Sequence, residues 1–219
     1  MPYFLRLTLL LCLLGSVSFA DSNNDKDQSI KKLRVLAQQQ GINLFAFDKA
    51  FDYLRSHSDK ITNKNYVTVI DYTKPSTEKR LYLFDIKRQK IFKLYVSHGR
   101  GSGRKEANTF SNKPNSFQTS LGFMKTGEPY KSDSVGLALR LHGLEERNNL
   151  AYMRGIVIHG AWYVTPKLIE KFGRLGRSLG CPAVESRLIE WLIAKIQGGS
   201  LLYSFYNKKS SAKKSRSIP

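Results

Sequence analysis

The sequence predicts a mainly β protein with short peripheral helices and a helical segment on its N-terminal side. From Asn65 onward, β-branched and aromatic residues recur in short runs with strand character, several of them stopping at a glycine. Helical periodicity is confined to the stretch before Asn65 and to one run near residue 190. A hydrophobic fraction of 41% over 219 residues suffices for one domain with a proper core.

Taken in order, residues 1–20, "MPYFLRLTLLLCLLGSVSFA", combine basic Arg6, an apolar run from Leu7 to Leu14, and small Ser18 and Ala20 around Phe19. That is a secretory signal with its cut after Ala20. The run is too short for the roughly 20 residues a bilayer span needs, so no integral membrane segment is expected after removal. Three leucines precede Cys12, which argues against lipidation there. Residues 21–64 hold a polar spacer, "DSNNDKDQ", expected to be disordered, and two helices. The first places Ile30, Leu33, Leu36 and Ala37 on one face and stops at Gly41; the second starts at the cap Asn43 and carries Leu44, Phe47, Phe51 and Leu54.

The β-rich domain spans 65–206. "YVTVIDY" and "KRLYLFDIKRQKIFKLYVSHG" read as strands, with "IKRQK" as a hairpin turn. "SLGFMKTG", "VGLALRLHGL" and "GIVIHGAWYV" continue the pattern, "RLIEWLIAKIQGG" is a helix, and "LLYSFY" a closing strand. Residues 207–219 form a basic tail expected to be disordered. There is no internal repeat.

The charge is lopsided: 36 Lys and Arg against 17 Asp and Glu, a formal net of +19. Such an excess favours an anionic partner, whether nucleic acid, acidic lipid or acidic polymer. The alternative is a solvated tail, since "KKSSAKKSRSIP" alone carries five positive charges. No aromatic-basic recognition motif runs through the strands, so no specific nucleic acid is expected.

Export would remove Cys12 and leave Cys181, within "GRSLGCPAV", as the only thiol. An internal disulfide is then impossible, and the thiol is either a buried inert residue or a working one. A thiol needs a base or a positive environment to react at neutral pH, and histidine is the natural partner. Of His57, His98, His142 and His159, the last is the best candidate, because it ends the apolar strand "GIVIHG" beside a loop. His57 and His98 read as ordinary loop or core residues. The glycines around Cys181 permit close backbone approach and N–H donors for an oxyanion.

Other chemistries fit less well. No histidine spacing suits a metal, and no cofactor motif is present: "HGRGSGRK" misses the phosphate-loop spacing. Glu145 and Glu146 are adjacent, a poor arrangement for a glycosidase. "SIKK" from Ser29 and "KTG" from Lys125 match two motifs of penicillin-binding enzymes, but the Ser-Asp-Asn element between them is missing.

"HGAWYV" followed by "GRLGRSLGCPAV" resembles the murein L,D-transpeptidase family, the YkuD-like cysteine enzymes of bacterial cell walls. "DYTKPSTEKRLYLFD", "SHGRGSG", "FSNKPNSFQTSLGFMKTGEPY" and "GLALRLHGLE" extend the likeness over roughly Tyr66 to Val184. The resemblance implies a sandwich or barrel of β-strands, and export to the periplasm or cell wall. It implies that Cys181 attacks the third residue of a peptidoglycan stem peptide and expels D-alanine. His159 is then the general base, the Gly160 carbonyl orients its ring, and the amides of Gly180 and Cys181 hold the oxyanion. Ser178 matches the family's Ser or Thr three places before the nucleophile. An amine of a neighbouring stem would resolve the thioester as a 3-3 cross-link, and water would make the protein a carboxypeptidase. A wall-protein ligase or a non-catalytic wall-binding protein are further readings. The chain departs from the family at Leu179, where His is common, and at Ala183, where Asn or Arg is frequent. Arg177 is the candidate replacement for that lost charge. Oligomeric state is left open.

Overall fold

The structure is a computed structural model that describes residues 19–207. The expected signal, apart from its last two residues, and the basic tail lie outside the described residues. Helix α1 runs from Phe19 to Gln39, straight through the stretch expected to be a disordered spacer. No glycine or proline interrupts the chain between Gly15 and Gly41, so nothing in the polar stretch breaks the helix that Ile30, Leu33 and Ala37 anchor. Helix α2, Leu44–Ser56, starts where Asn43 accepts the Ala46 amide at 3.3 Å, as its sequence predicts. Arg34 on α1 grips Asp48 on α2 with two bonds of 2.7 and 2.9 Å.

The strands are β1 (Tyr66–Asp71), β2 (Leu81–Asp85), β3 (Lys90–Leu94), β4 (Gly122–Ser132), β5 (Gly136–Gly143), β6 (Val157–Ala161), β7 (Ala183–Glu185) and β8 (Leu201–Phe205). Helices α3 (Pro166–Phe172) and α4 (Ile189–Ile196) are the other α-helices among the described residues. All eight strands form one sheet in the order β3-β2-β1-β8-β4-β5-β6-β7. The β2–β3 hairpin turns at the expected "IKRQK". The last strand, β8, lies in the middle of the sheet, parallel to β1 and antiparallel to β4.

Both faces of this sheet are covered, which is why β1, β2 and β8 are buried almost throughout instead of alternating. Val67 and Val69 meet α1 and α2, while Ile70 turns toward the interior that α4 fills with Leu192, Ile193 and Ile196. Phe47 and Phe51 of α2 meet Phe84 edge-on at 5.1 and 5.6 Å; each such burial contributes about 2–3 kcal/mol.

The two ends of the sheet approach each other. Past β3, the Ser97 amide donates to the Ala183 carbonyl of β7 at 2.8 Å, and Gly99 bridges Ser178. The sheet therefore curls toward a closed barrel. Its seam is the segment around Cys181.

Candidate active site

Each side of the site is positioned by this seam. Ser178 N–H donates to the His98 carbonyl at 3.0 Å, and Arg100 N–H to the Ser178 carbonyl at 2.8 Å. Segment 97–100 thus acts as a short strand holding residues 178–183. On the other side β7 pairs in parallel with β6, placing His159 opposite Ala183, two residues from Cys181.

Cys181, His159, Arg177 and Ser178 all line one cavity of about 440 Å³. Tyr130, Ser132, Ser134 and Val135, from the tip of the β4–β5 hairpin, form part of its wall. The thiol is free; its sulfur receives the Val157 amide at 3.5 Å and faces the Gly155 carbonyl at 3.6 Å. Burial pushes the Cys181 thiol up, opposed by the Val157 amide and the charge of Arg154.

His159 is third of five residues in β6, firmly inside the strand rather than at its end. Its Nδ1 lies 2.9 Å from the Gly160 carbonyl. A carbonyl only accepts, so Nδ1 carries the proton and Nε2 keeps its lone pair. Burial lowers the His159 pKa, with the Gly160 bond opposing. Both shifts favour the uncharged forms, a thiol and a neutral imidazole on the same cavity. Gly160 itself is tightly placed, since a Cβ there would stand 3.0 Å from Ile189 and Ser186.

The remaining expected residues hold the loop together. Ser178 Oγ–H donates to the Cys181 carbonyl at 2.6 Å and its oxygen accepts the Gly180 amide at 3.1 Å. Its hydroxyl is engaged within the loop, and so is one of the two amides expected for the oxyanion. Gly180 has φ +131°, a conformation that glycine takes freely, and a Cβ there would meet the Gln118 carbonyl at 3.1 Å. Arg177 lies on the cavity wall with its Nη1 donating to the carbonyls of Gly103 (2.9 Å) and Arg100 (3.3 Å).

Two residues were not singled out in the sequence. Arg154, before β6, donates to the Ser111 carbonyl and Ser120 Oγ, both at 2.6 Å, to the Gln118 carbonyl at 2.7 Å and to Ser116 Oγ at 3.2 Å. It ties the 111–120 loop to the site while placing a positive charge near Cys181. Tyr163 also lines the cavity, its hydroxyl pushed up to about 12 by burial and the nearby thiol. Tyr163 stands four residues after His159 and was legible by proximity; nothing local marks Arg154.

The rival motifs separate in space. Ser29 accepts from Gln89 at the β2–β3 turn, whereas Lys125–Gly127 and His142 line a different cleft. Glu145 accepts the Phe123 amide at 2.6 Å and pairs with Arg147, a structural task. His98 is buried and bonded to Arg80, and His57 stacks on Tyr53. Among the described residues no three His, Cys, Asp or Glu side chains gather as a metal site. Among the same residues no helix is long and apolar enough to cross a membrane.

No curated protein matches the chain. Solved structures that it resembles include an L,D-transpeptidase from Mycobacterium smegmatis (14% identity, TM-score 0.41, 65% of this chain and 59% of that one). L,D-transpeptidase 3 from Mycobacterium tuberculosis has 14% identity and TM-score 0.39, over 65% of this chain and 61% of that one. An L,D-transpeptidase from Mycobacterium tuberculosis H37Rv has 16% identity and TM-score 0.35, over 65% and 58%. The chain thus spans less than two thirds of the length of each. The family profile of the L,D-transpeptidase catalytic domain (YkuD_2) matches residues 38–205, and the chain belongs to that family.

Proposed function

We propose that the protein is an exported cysteine L,D-transpeptidase acting on peptidoglycan stem peptides, in the periplasm or cell wall. The observation that carries this reading is the pair of Cys181 and His159 on one cavity, the imidazole pinned by the Gly160 carbonyl with Nε2 free to accept. Family membership supports the reaction class.

In the proposed cycle His159 Nε2 takes the thiol proton as Cys181 Sγ attacks the carbonyl carbon of the third stem residue. The negative charge goes to the carbonyl oxygen, where the Cys181 amide is the candidate donor. The Gly180 amide joins it only by exchanging Ser178 Oγ for the oxyanion. Collapse breaks the bond to D-alanine, whose amine leaves with the proton held on Nε2. The thioester is then attacked by an amine of a neighbouring stem, which yields its proton to His159, and the thiolate leaves and is reprotonated. No step calls for a metal or organic cofactor. Arg177, at the cavity wall, is the candidate partner of a substrate carboxylate.

The test is mass spectrometry of disaccharide-tetrapeptide incubated with the mature protein and with Cys181→Ala. A 3-3 linked dimer that vanishes in the variant supports the proposal. Release of D-alanine with no dimer assigns a carboxypeptidase, and no product from either protein overturns the enzymatic reading.

A further inference from the structure

Arg140 of β5 joins two segments that wall the cavity. Its Nε meets Glu128 Oε1 at 2.8 Å. Its guanidinium lies 4.3 Å from the centre of the Tyr130 ring and 5.4 Å from that of Tyr152. The Tyr152 ring in turn stacks on His142 at 4.9 Å and 14°. Glu128 and Tyr130 belong to β4, at an irregularity in its pairing with β5 between Thr126 and Pro129. Tyr152 precedes β6, two residues before Arg154. Tyr130 on one side, and Arg154, Gly155 and Val157 on the other, line the cavity. The register fixes where Tyr130 stands. It is opposite Ala138 on β5, and Ala138 is opposite His159 on β6, so the three side chains share one face of the sheet. Tyr130 and His159 are thus two strand spacings apart, roughly 10 Å, with the Ala138 methyl between them in that row. That leaves room for one peptide chain between the phenol and the imidazole.

We infer that Arg140 is a positioning residue of the proposed reaction: it holds Tyr130 as the wall facing His159, and the stem peptide lies between the two. The residue type fits that task. A planar guanidinium offers its faces to two rings while its edge meets a carboxylate, which a lysine ammonium cannot do at once. Glu128 already neutralises Arg140, so the guanidinium is a brace and not a receptor for the substrate's own carboxylate. The brace lies near the surface, with 32% of the Arg140 side chain and 61% of the Glu128 side chain exposed. A pair this exposed adds little to global stability, which leaves the orientation of Tyr130 as its main consequence. The identity of the substrate rests on the proposed function; the holding of Tyr130 on the cavity wall does not.

The experiment uses the full mature chain and the disaccharide-tetrapeptide assay. Arg140→Met keeps much of the side chain's length and removes its charge and its fork. It is expected to raise KM about fivefold or more while kcat stays within about threefold, the signature of lost substrate binding. Arg140→Lys is expected to fall between wild type and Arg140→Met. In a double-mutant cycle, Tyr130→Ala combined with Arg140→Met is expected to be no worse than Tyr130→Ala alone, because Arg140 acts through that ring. Each variant is also alkylated at Cys181 with a small reagent, iodoacetamide, and a bulky one, a fluorescein maleimide. With the wall released, the ratio of bulky to small reagent rates is expected to rise severalfold in Arg140→Met and in Tyr130→Ala alike. That ratio needs no turnover, so a protein that forms no product but shows the rise keeps the brace and loses the transpeptidase reading. An unchanged KM in an active Arg140→Met, additive effects in the cycle, or an unchanged reagent ratio each overturns the inference. Should Arg140→Met melt early, Glu128→Gln, at an exposed side chain, replaces it. It is expected to move KM and the reagent ratio in the same direction, and no movement in either overturns the inference as well.

Discussion

Lowering the pH from 7 to 5 is expected to destabilise the fold through one buried histidine. His98 is fully buried, and Arg80 Nη2 donates to its Nδ1 at 2.8 Å. Arginine has only donors, so Nδ1 must keep its lone pair; a second proton would set two donors face to face. Burial first, then the Arg80 charge, pushes the His98 pKa down to about 3, from 6.5. In the unfolded chain the imidazole binds a proton below about pH 6.5, while in the folded protein it does not. The stability is therefore complete above pH 6.5 and is lost as the pH falls toward 3. At pH 5 the unfolded group lies about 1.5 units below its pKa, which at 1.36 kcal/mol per unit costs about 2 kcal/mol. For a chain of this size that is roughly 4–8 °C in melting temperature. Asp71, raised by burial, contributes with the opposite sign, and His159 with the same sign. The comparison that isolates His98 is therefore with His98→Asn, whose carbonyl accepts from Arg80 but does not titrate. Thermal melts at both pH values are expected to show a smaller acid loss in the variant, by about the amount above. Identical pH dependence in the two proteins would refute the reasoning, because His98 would then gain its proton equally in both states.

Four further outcomes follow from the site. Alkylation of Cys181 by iodoacetamide, measured against pH, is expected to inflect above the ordinary cysteine value, since burial dominates; an inflection well below it would indicate a resting ion pair with His159. Arg154→Met removes four hydrogen bonds and the charge that favours the thiolate, so the alkylation inflection rises further and turnover falls at least about tenfold; an unmoved inflection contradicts the electrostatic part. Ser178→Ala orphans the buried Gly180 amide and costs about 1–3 kcal/mol in chemical denaturation, and Ser178→Thr recovers most of it. Gly180→Ala forces a Cβ toward the Gln118 carbonyl at φ +131°, so it is expected to cost about 1–3 kcal/mol and to depress turnover in the dimer-forming assay.

Much of the local structure was legible. Asn43 before an amphipathic run fixed the start of α2, and "IKRQK" between two apolar runs fixed the β2–β3 hairpin, because caps and turns are made by near neighbours in the chain. Helix α3 was missed, although its signals were present: Thr165 caps it, Pro166 opens it, and Gly173 closes it in the left-handed region. Seven residues with no buried side chain give no periodicity to find. The spacer was misread because polar composition alone does not stop a helix that continues into an anchored one.

The sequence by itself determined the β class, the two N-terminal helices and the candidate pair Cys181 and His159, since residue type and periodicity are properties of the string. Only the tertiary structure decided that β8 enters the middle of the sheet and that segment 97–100 braces the thiol's loop. It alone brought Arg154 onto the wall of the cavity that holds the thiol and engaged Ser178 within its own loop. These arrangements join residues far apart in the chain through hydrogen bonds and fields that act through space, and no local pattern records which distant partner a backbone amide or a charge will meet.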